Sequence, residues 1–417
     1  MNIKDLYDVY AQNYLVDTDT RNIRKNSIFF ALKGENFNGN KFVQKAQENG
    51  ASYCVIDEEE YYIEGETILV DNVLKTLQSL ASYHRKKLAI PIIGITGSNG
   101  KTTTKELINA VLKTEYHTKA TVGNLNNHIG VPLTLLSFTN KTEIGVVEMG
   151  ANHQKEIEFL ASICEPDVGY ITNFGKAHLE GFGGIDGVIK GKSELYTYLK
   201  KQNKVAFVNS SDVKQLDLTK DCERILLSTS IKISSNQPFL EVLYKEQTIK
   251  THLIGAYNLE NIKAAISIAE YFTVSEKNIV SGIQNYTPSN HRSQLIEKKN
   301  NKILMDAYNA NPSSTVLAVK NFSKIEHSHK VVILGDMFEL GKGSLEEHQI
   351  IVDYCQQLDI DRCVFVGENY CRTTAIEKYL NYESLKDEIK SSPFKNSFIL
   401  IKGSRGMSLE RLLDIIN

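Results

Sequence analysis

The chain alternates short, almost wholly apolar runs with stretches whose apolar residues recur every three or four positions. Ile3, Leu6, Tyr7 and Tyr10 have helical spacing. Ile28 to Leu32 and Tyr53 to Ile56 read as buried strands, with a short helix at Phe42, Val43 and Ala46 between them. The basic cluster Arg85-Lys86-Lys87 just before Pro91 marks a first boundary near residue 88. A second set begins with the apolar run Ile90 to Ile95. A glycine turn follows, then a helix with Leu107, Ile108, Val111 and Leu112 on one side. The runs 144–147 and 168–171 alternate with helical stretches, which is the pattern of a parallel α/β layer. A helix near Leu259 carries Ile262, Ile266 and Ala269 on the same face. The turn chemistry of Tyr286-Thr287-Pro288-Ser289-Asn290 then marks a second boundary. Strands at 330–334, 363–366 and 398–401, each followed by glycine within a few residues, complete a third α/β unit of ordinary domain size. The expected domains are 1–88, 89–288 and 289–417, and no repeat of solenoid type is visible.

Composition narrows the function classes. The 417 residues include 48 Lys plus Arg against 50 Asp plus Glu, so no bulk positive field favours nucleic acid. No apolar run approaches the roughly 18 residues that would cross a bilayer, so no membrane insertion is expected. The start, MNIKDLYDVY, mixes charges into its apolar residues and lacks a signal core, so a cytoplasmic location is expected. Six cysteines without a CxxC pair fit buried thiols better than a disulfide scaffold or a metal knuckle.

The strongest chemical signal is GITGSNGKTT at 94–103, between an apolar strand and a helix. In Thr96-Gly97-Ser98-Asn99-Gly100 the two glycines let backbone amides approach phosphate oxygens without a Cβ in the way. The helix start at Lys101, Thr102 and Thr103 adds free amides and the positive end of its dipole. Lys101 would neutralise the terminal phosphates of ATP, and the Thr102 hydroxyl would hold Mg²⁺. The usual first glycine of such a loop is replaced by Ile95, making this a TGxxGKTT variant.

Three further residues each have two readings. Glu148, ending the run at 144–147, is either a solvated strand-end acid or a carboxylate that reaches the Mg²⁺. His178, in ITNFGKAHLEGFG, is either a surface-loop histidine or part of the site. Lys192, in GKSELY, is either a solvated lysine or a buried amine able to take up CO₂ as a carbamate that ligates metal.

In order, TGSNGKTT, VVEMG, ITNFGKAHLEGFG and KSELY resemble the Mur ligases of peptidoglycan synthesis, whose central domain folylpolyglutamate synthases share. Two more stretches, DAYNANP at 306–312 and LGDMFELG at 334–341, resemble the members that join D-alanyl-D-alanine to UDP-N-acetylmuramoyl-tripeptide. The resemblance covers essentially the whole chain. It implies an α/β protein of three domains: a central P-loop parallel-sheet domain, a small N-terminal UDP-sugar-binding α/β domain and a C-terminal Rossmann-like ligase domain. It also implies ATP and Mg²⁺ as cofactors; a monomer is expected.

Residue roles follow from the same resemblance. Thr20, Arg21, Asn38, Gly39 and Asn40 match the uridine-nucleotide region, although the family often has Asp and His where this chain has Asn38 and Asn40. Asn124, Asn126, Asn127 and His128 match the loop facing the muramoyl substrate. Thr102, Glu148 and His178 match Mg²⁺ positions, and Lys192 matches the carbamylated lysine. Asn258 and Asn261 match the region contacting adenine, with helix N-capping by Asn258 as the alternative. His291, Arg292 and Asp306 match ATP-facing positions. Asn309, Asn311, Lys402 and Arg405 face either ATP or the incoming dipeptide, or else serve as turn residues. Catalysis is then expected to rest on Lys101, Lys192, His178 and Arg292, with an acyl phosphate formed from the peptide carboxylate. A site drawn from separate domains implies that the third closes over the nucleotide.

Overall fold

The computed structural model describes residues 2–289 and 291–416. Asn290, in the turn expected to separate the second and third domains, lies outside the described residues, as do the two chain ends.

Three sheets organise the chain. In the first, parallel strands Val16–Asp17, Ile28–Phe30, Tyr53–Ile56 and Thr67–Leu69 lie side by side in that order. Its residues alternate between two apolar layers: Ile28, Phe30 and Val55 face one side, and Phe29, Cys54 and Ile56 the other. Helix Val73–Leu88 then leads into the second unit and ends on Ala89 in the left-handed conformation.

The second sheet has six parallel strands, in the order Arg224–Leu226, Val205–Val208, Val168–Ile171, Ile92–Thr96, Ile144–Glu148 and Thr118–Ala120. The expected start at Ile90 is corrected to Ile92, because Pro91 has no N–H to give the ladder. Both faces are buried: Ile92, Val147 and Ile171 pack into one cluster, and Ile93, Ile95, Val146 and Tyr170 into the other. From Ile92–Thr96 the chain moves first toward one edge of the sheet and later toward the opposite edge. In such sheets, ligands sit at the carboxyl end of the strands where this reversal occurs. An antiparallel meander, Lys232–Asn236, Leu240–Tyr244 and Gln247–Lys250, follows this sheet; the sequence pattern did not signal it.

The third sheet runs Gln294–Lys298, Asn301–Asp306, Phe398–Lys402, Lys330–Gly335, Arg362–Val366 and Lys378–Tyr379, parallel except for its first strand. Leu304, Val332 and Leu400 face one helical layer, and Ile303, Val331 and Ile399 the other. All six cysteines are free thiols.

Candidate active site

The phosphate loop leaves the carboxyl end of Ile92–Thr96 and turns into helix Lys101–Leu112. Gly97 has a φ of +135°, and a Cβ there would lie 2.0 Å from Thr172 Oγ1, so no other residue fits. Gly100 caps the helix in the left-handed region. The loop is braced from the next strand: the amides of Ser98 and Asn99 donate to Asn173 O and Oδ1 at 3.0 and 3.1 Å. Thr172 Oγ1 and Asn173 Nδ2 donate to Asn99 O at 2.6 and 3.0 Å. Those two loop amides are therefore committed to the brace. The amides free for an anion belong to the first helical turn, which has no preceding carbonyls to bond. The Lys101 ammonium folds over the loop and donates to Gly97 O at 2.7 Å and Ser98 O at 3.2 Å. Burial pushes its pKa down; Glu148 opposes the shift and Arg292 adds to it.

Glu148 lies at the end of the neighbouring strand and is 1% exposed, which removes the solvated-acid reading. Its Oε2 accepts from Thr102 Oγ1 at 2.9 Å and its Oε1 from Asn126 Nδ2 at 2.8 Å. A hydroxyl and a carboxylate, both hard oxygen donors beside a phosphate loop, fit Mg²⁺. His178 borders the same cavity but hydrogen-bonds through Nδ1 to Glu339, in the loop after strand Lys330–Gly335, which holds the Glu339 carboxyl below its usual range.

Lys192 is 0% exposed, which removes the solvated reading here too. Its Nζ donates to Ala151 O at 2.9 Å and lies 5.0 Å from the Phe182 ring, behind the cavity wall rather than in it. Burial drives its pKa well below the usual lysine value, with Lys101 adding to the effect and Glu156 and Glu194 opposing it.

The third sheet supplies the opposite wall. The Arg292 guanidinium stacks 3.5 Å above the Tyr308 ring centroid, and its Nε is buried without a hydrogen-bond partner. An orphaned donor in this position fits a phosphate oxygen. Asp306 accepts from Ser293 N at 3.1 Å and from Lys402 Nζ at 2.7 Å, and Lys402 also donates to Asn309 O at 3.0 Å. Asn311 caps helix Pro312–Ser323 and reaches across to Asn99 Oδ1 at 2.7 Å. The backbone amide of Lys176 donates to Ser313 Oγ at 2.9 Å, and its ammonium meets Glu347 at 2.5 Å. The second and third sheets are thus docked carboxyl edge to carboxyl edge.

Between them lies a cavity of about 500 Å³. Its walls include Ser98 to Thr103, Asn124, Asn126, Asn127, His128, Glu148 and His178, with Asn258 and Asn261 beside the phosphate loop, and across from them Arg292, Asp306, Asn309, Asn311 and Lys402. N-capping by Asn258 is corrected: the helix is capped from Tyr257, and the Asn258 side chain donates to Ile254 O and accepts from Asn261. Thr96 is fully buried in the strand below the loop. Arg405 lies outside the lining, 5.3 Å from the Tyr308 ring. Thr20, Arg21, Asn38, Gly39 and Asn40 do not line this cavity. Arg21 is 86% exposed and paired with Asp19, while Asn40 is wholly buried and donates to Asn38 and Asp57. Gly39 lies so close to Leu32 that a Cβ would come within 2.5 Å of its carbonyl.

Sequence reasoning missed Tyr308 and Glu339, although both stand inside the two stretches that it quoted. An aromatic or acid in a loop gains a role only from the partner folded against it.

Residues 13–85 match the Mur ligase family catalytic domain, 95–269 the Mur ligase middle domain, and 291–404 the Mur ligase glutamate ligase domain. The UDP-N-acetylmuramoyl-tripeptide--D-alanyl-D-alanine ligase of Bacillus subtilis is 34% identical, over 95% of this chain and 92% of the relative. The ligase of the same name from Escherichia coli is 30% identical over 95% and 92%. Among solved structures, MurF from Acinetobacter baumannii superposes with a TM-score of 0.84 at 30% identity, covering 96% of this chain and 93% of that one. MurF from Thermotoga maritima in complex with ADP gives 0.82 at 25% identity, with 98% of each chain covered. With all three segments matched in order and full-length relatives at this identity, the chain belongs to the Mur ligase family.

Proposed function

We propose that this enzyme joins D-alanyl-D-alanine to UDP-N-acetylmuramoyl-tripeptide at the expense of ATP, in peptidoglycan precursor synthesis. The observation that carries the reading is a cavity in which a phosphate loop faces a half-buried arginine whose Nε is buried and unpartnered. A carboxylate is a poor electrophile because oxide would have to leave. Attack of the peptide carboxylate on the γ-phosphorus of ATP gives an acyl phosphate and ADP. The dipeptide amine then adds to the acyl carbon and phosphate departs. Two anions must meet in the first step. Lys101 and Arg292 stand on opposite walls to offset that repulsion. Thr102 and Glu148 would hold Mg²⁺, which supplies further positive charge between the phosphates. His178, now paired with Glu339, would add a nitrogen donor to that group if this pairing opened.

Lys192 supports the carbamate reading through its burial, which favours the neutral amine that CO₂ requires. Asn258 and Asn261 border the adenine side. Residues 124–128 face the muramoyl peptide, and Asn309, Asn311, Lys402 and the nearby Arg405 serve ATP or the dipeptide. The region of Thr20, Arg21 and 38–40 serves the uridine nucleotide. The domain limits 1–88, 89–288 and 289–417 go with this reading, and each matched family segment falls inside one of them. A cytoplasmic location and a monomeric state belong to it as well. Among the described residues, no helix is long and apolar enough to cross a membrane. Phosphate release with the muramoyl-tripeptide nucleotide, with and without D-alanyl-D-alanine, tests the reaction. Release that ignores the dipeptide refutes ligation.

A further inference from the structure

Lys105 stands one helical turn beyond Lys101, and its side chain is 0% exposed. A lysine ammonium is rarely buried without partners, because leaving water costs more than a single hydrogen bond returns. Here Nζ donates to Thr121 O at 2.6 Å and pairs with Glu106 Oε1 at 2.9 Å; Glu148 Oε2 lies 4.0 Å away. Glu106 keeps about a third of its side-chain exposure, whereas Glu148 is as buried as Lys105. The Oε2 atom that faces Lys105 is also the one that accepts from Thr102 Oγ1. Thr121 joins the cluster twice: its carbonyl takes the ammonium, and its hydroxyl accepts from the Glu148 amide at 2.9 Å.

Lys101 also feels the charge of Glu148, but Lys105 is the fully buried ammonium that stands at ion-pair distance from this carboxylate. We propose that Lys105 is the resident counter-cation of Glu148, a positioning residue that holds this carboxylate toward the phosphate loop while no divalent cation is bound. The inference rests on the reading of Glu148 as a metal-facing carboxylate. With Lys105 present, the folded protein needs no metal to compensate Glu148. The cation can then arrive and leave with the nucleotide. Without Lys105, the same buried carboxylate loses its ion-pair partner and keeps only the more distant Lys101 charge, and a divalent cation alone becomes a stabilising ligand.

The test is the thermal midpoint of the full chain without nucleotide, in EDTA and in about 10 mM Mg²⁺ or Mn²⁺. The unsubstituted protein is expected to move by less than about 1 °C between the two conditions. Lys105→Met is expected to melt about 5 °C or more lower in EDTA and to recover about half of that loss in the metal. Lys105→Gln, which keeps a donor for the Thr121 carbonyl but not the charge, is expected to show the same recovery. Adding Glu148→Gln to Lys105→Met is expected to abolish it. A midpoint loss that the metal does not repair, in either single variant, makes Lys105 a purely structural residue and overturns the proposal. So does recovery that persists in the double variant, or a chain that stays unfolded with and without metal. Dipeptide-dependent phosphate release by the unsubstituted protein is measured separately, so failure of the counter-cation leaves the ligase reading standing.

Discussion

His84 offers a quantitative test of how the first two units are joined. Its ring is 0% exposed, among Tyr7, Tyr10 and Tyr14 at centroid distances of 5.8, 5.0 and 5.7 Å. Nε2 lies 3.1 Å from the carbonyl of Phe138, and Nδ1 is buried without a partner. A carbonyl only accepts, so Nε2 carries the proton and Nδ1 the lone pair. Protonating Nδ1 would bury an N–H with no acceptor. Burial accordingly lowers the pKa from 6.5 to about 4, with the Phe138 carbonyl opposing the shift. The unfolded chain therefore binds the proton first as the pH falls. The stability present above pH 6.5 is lost progressively toward pH 4, by roughly 3 kcal/mol in all and about 1.4 kcal/mol per pH unit within the window.

The perturbation is His84→Gln, which keeps a donor for Phe138 O but cannot titrate. Urea unfolding of both proteins would be followed at pH 7 and pH 5 by tyrosine emission, which is unobscured because the chain has no tryptophan. The stability advantage of the unsubstituted protein over the variant is expected to shrink by about 2 kcal/mol between those two pH values. Parallel pH dependences for the two proteins would refute the reasoning.

Gly97→Ala places a methyl against Thr172 in a backbone region that disfavours it, so ADP binding by calorimetry is expected to fall at least about tenfold with the fold intact by circular dichroism. Arg292→Lys keeps the charge but loses the planar fork and the stack on Tyr308; kcat is expected to drop about tenfold or more, and an unchanged kcat would remove Arg292 from the phosphoryl step. Lys192→Met, which is unbranched, apolar and one atom shorter, is expected to reduce ligation by about 100-fold at full Mg²⁺ while leaving the melting midpoint at or above the parent value; near-normal turnover would sink the carbamate reading. Asn311→Ala removes both a helix cap and the bridge to Asn99, so a loss of about 1 kcal/mol should come with a more open scattering profile.

The phosphate loop and the strand–helix alternation were legible because they are local. An apolar run that ends in a glycine turn and GKTT announces itself within ten residues. The antiparallel meander was not legible, since its first strand, Lys232–Asn236, is exposed or half-buried and lacks a clear period. Glu148 and Lys192 cannot be told from solvated residues by sequence, because their burial comes from elements distant in the chain, and the hydrogen bond from Asn40 to Asp57 is equally invisible there. Lys105 reads as one more helix lysine in KTTTKEL. Only the register of strand Ile144–Glu148 beside helix Lys101–Leu112 brings Glu148 within 4.0 Å of it. Tyr308 gains its role from the Arg292 guanidinium folded over its ring within the third unit, and Glu339 from His178, 161 residues away on the other side of the docked sheets.

The stack of Arg292 on Tyr308 also gives this enzyme a natural optical window. The chain contains 20 tyrosines and no tryptophan, so an indole installed at position 308 would be the only one in the molecule. It would sit beneath a guanidinium that must shift or hold when phosphate arrives, and Arg405 lies close enough, 5.3 Å from the ring, to colour the signal. Emission from Tyr308→Trp would then report on the approach of the two walls in real time, nucleotide by nucleotide, without a dye and without turnover.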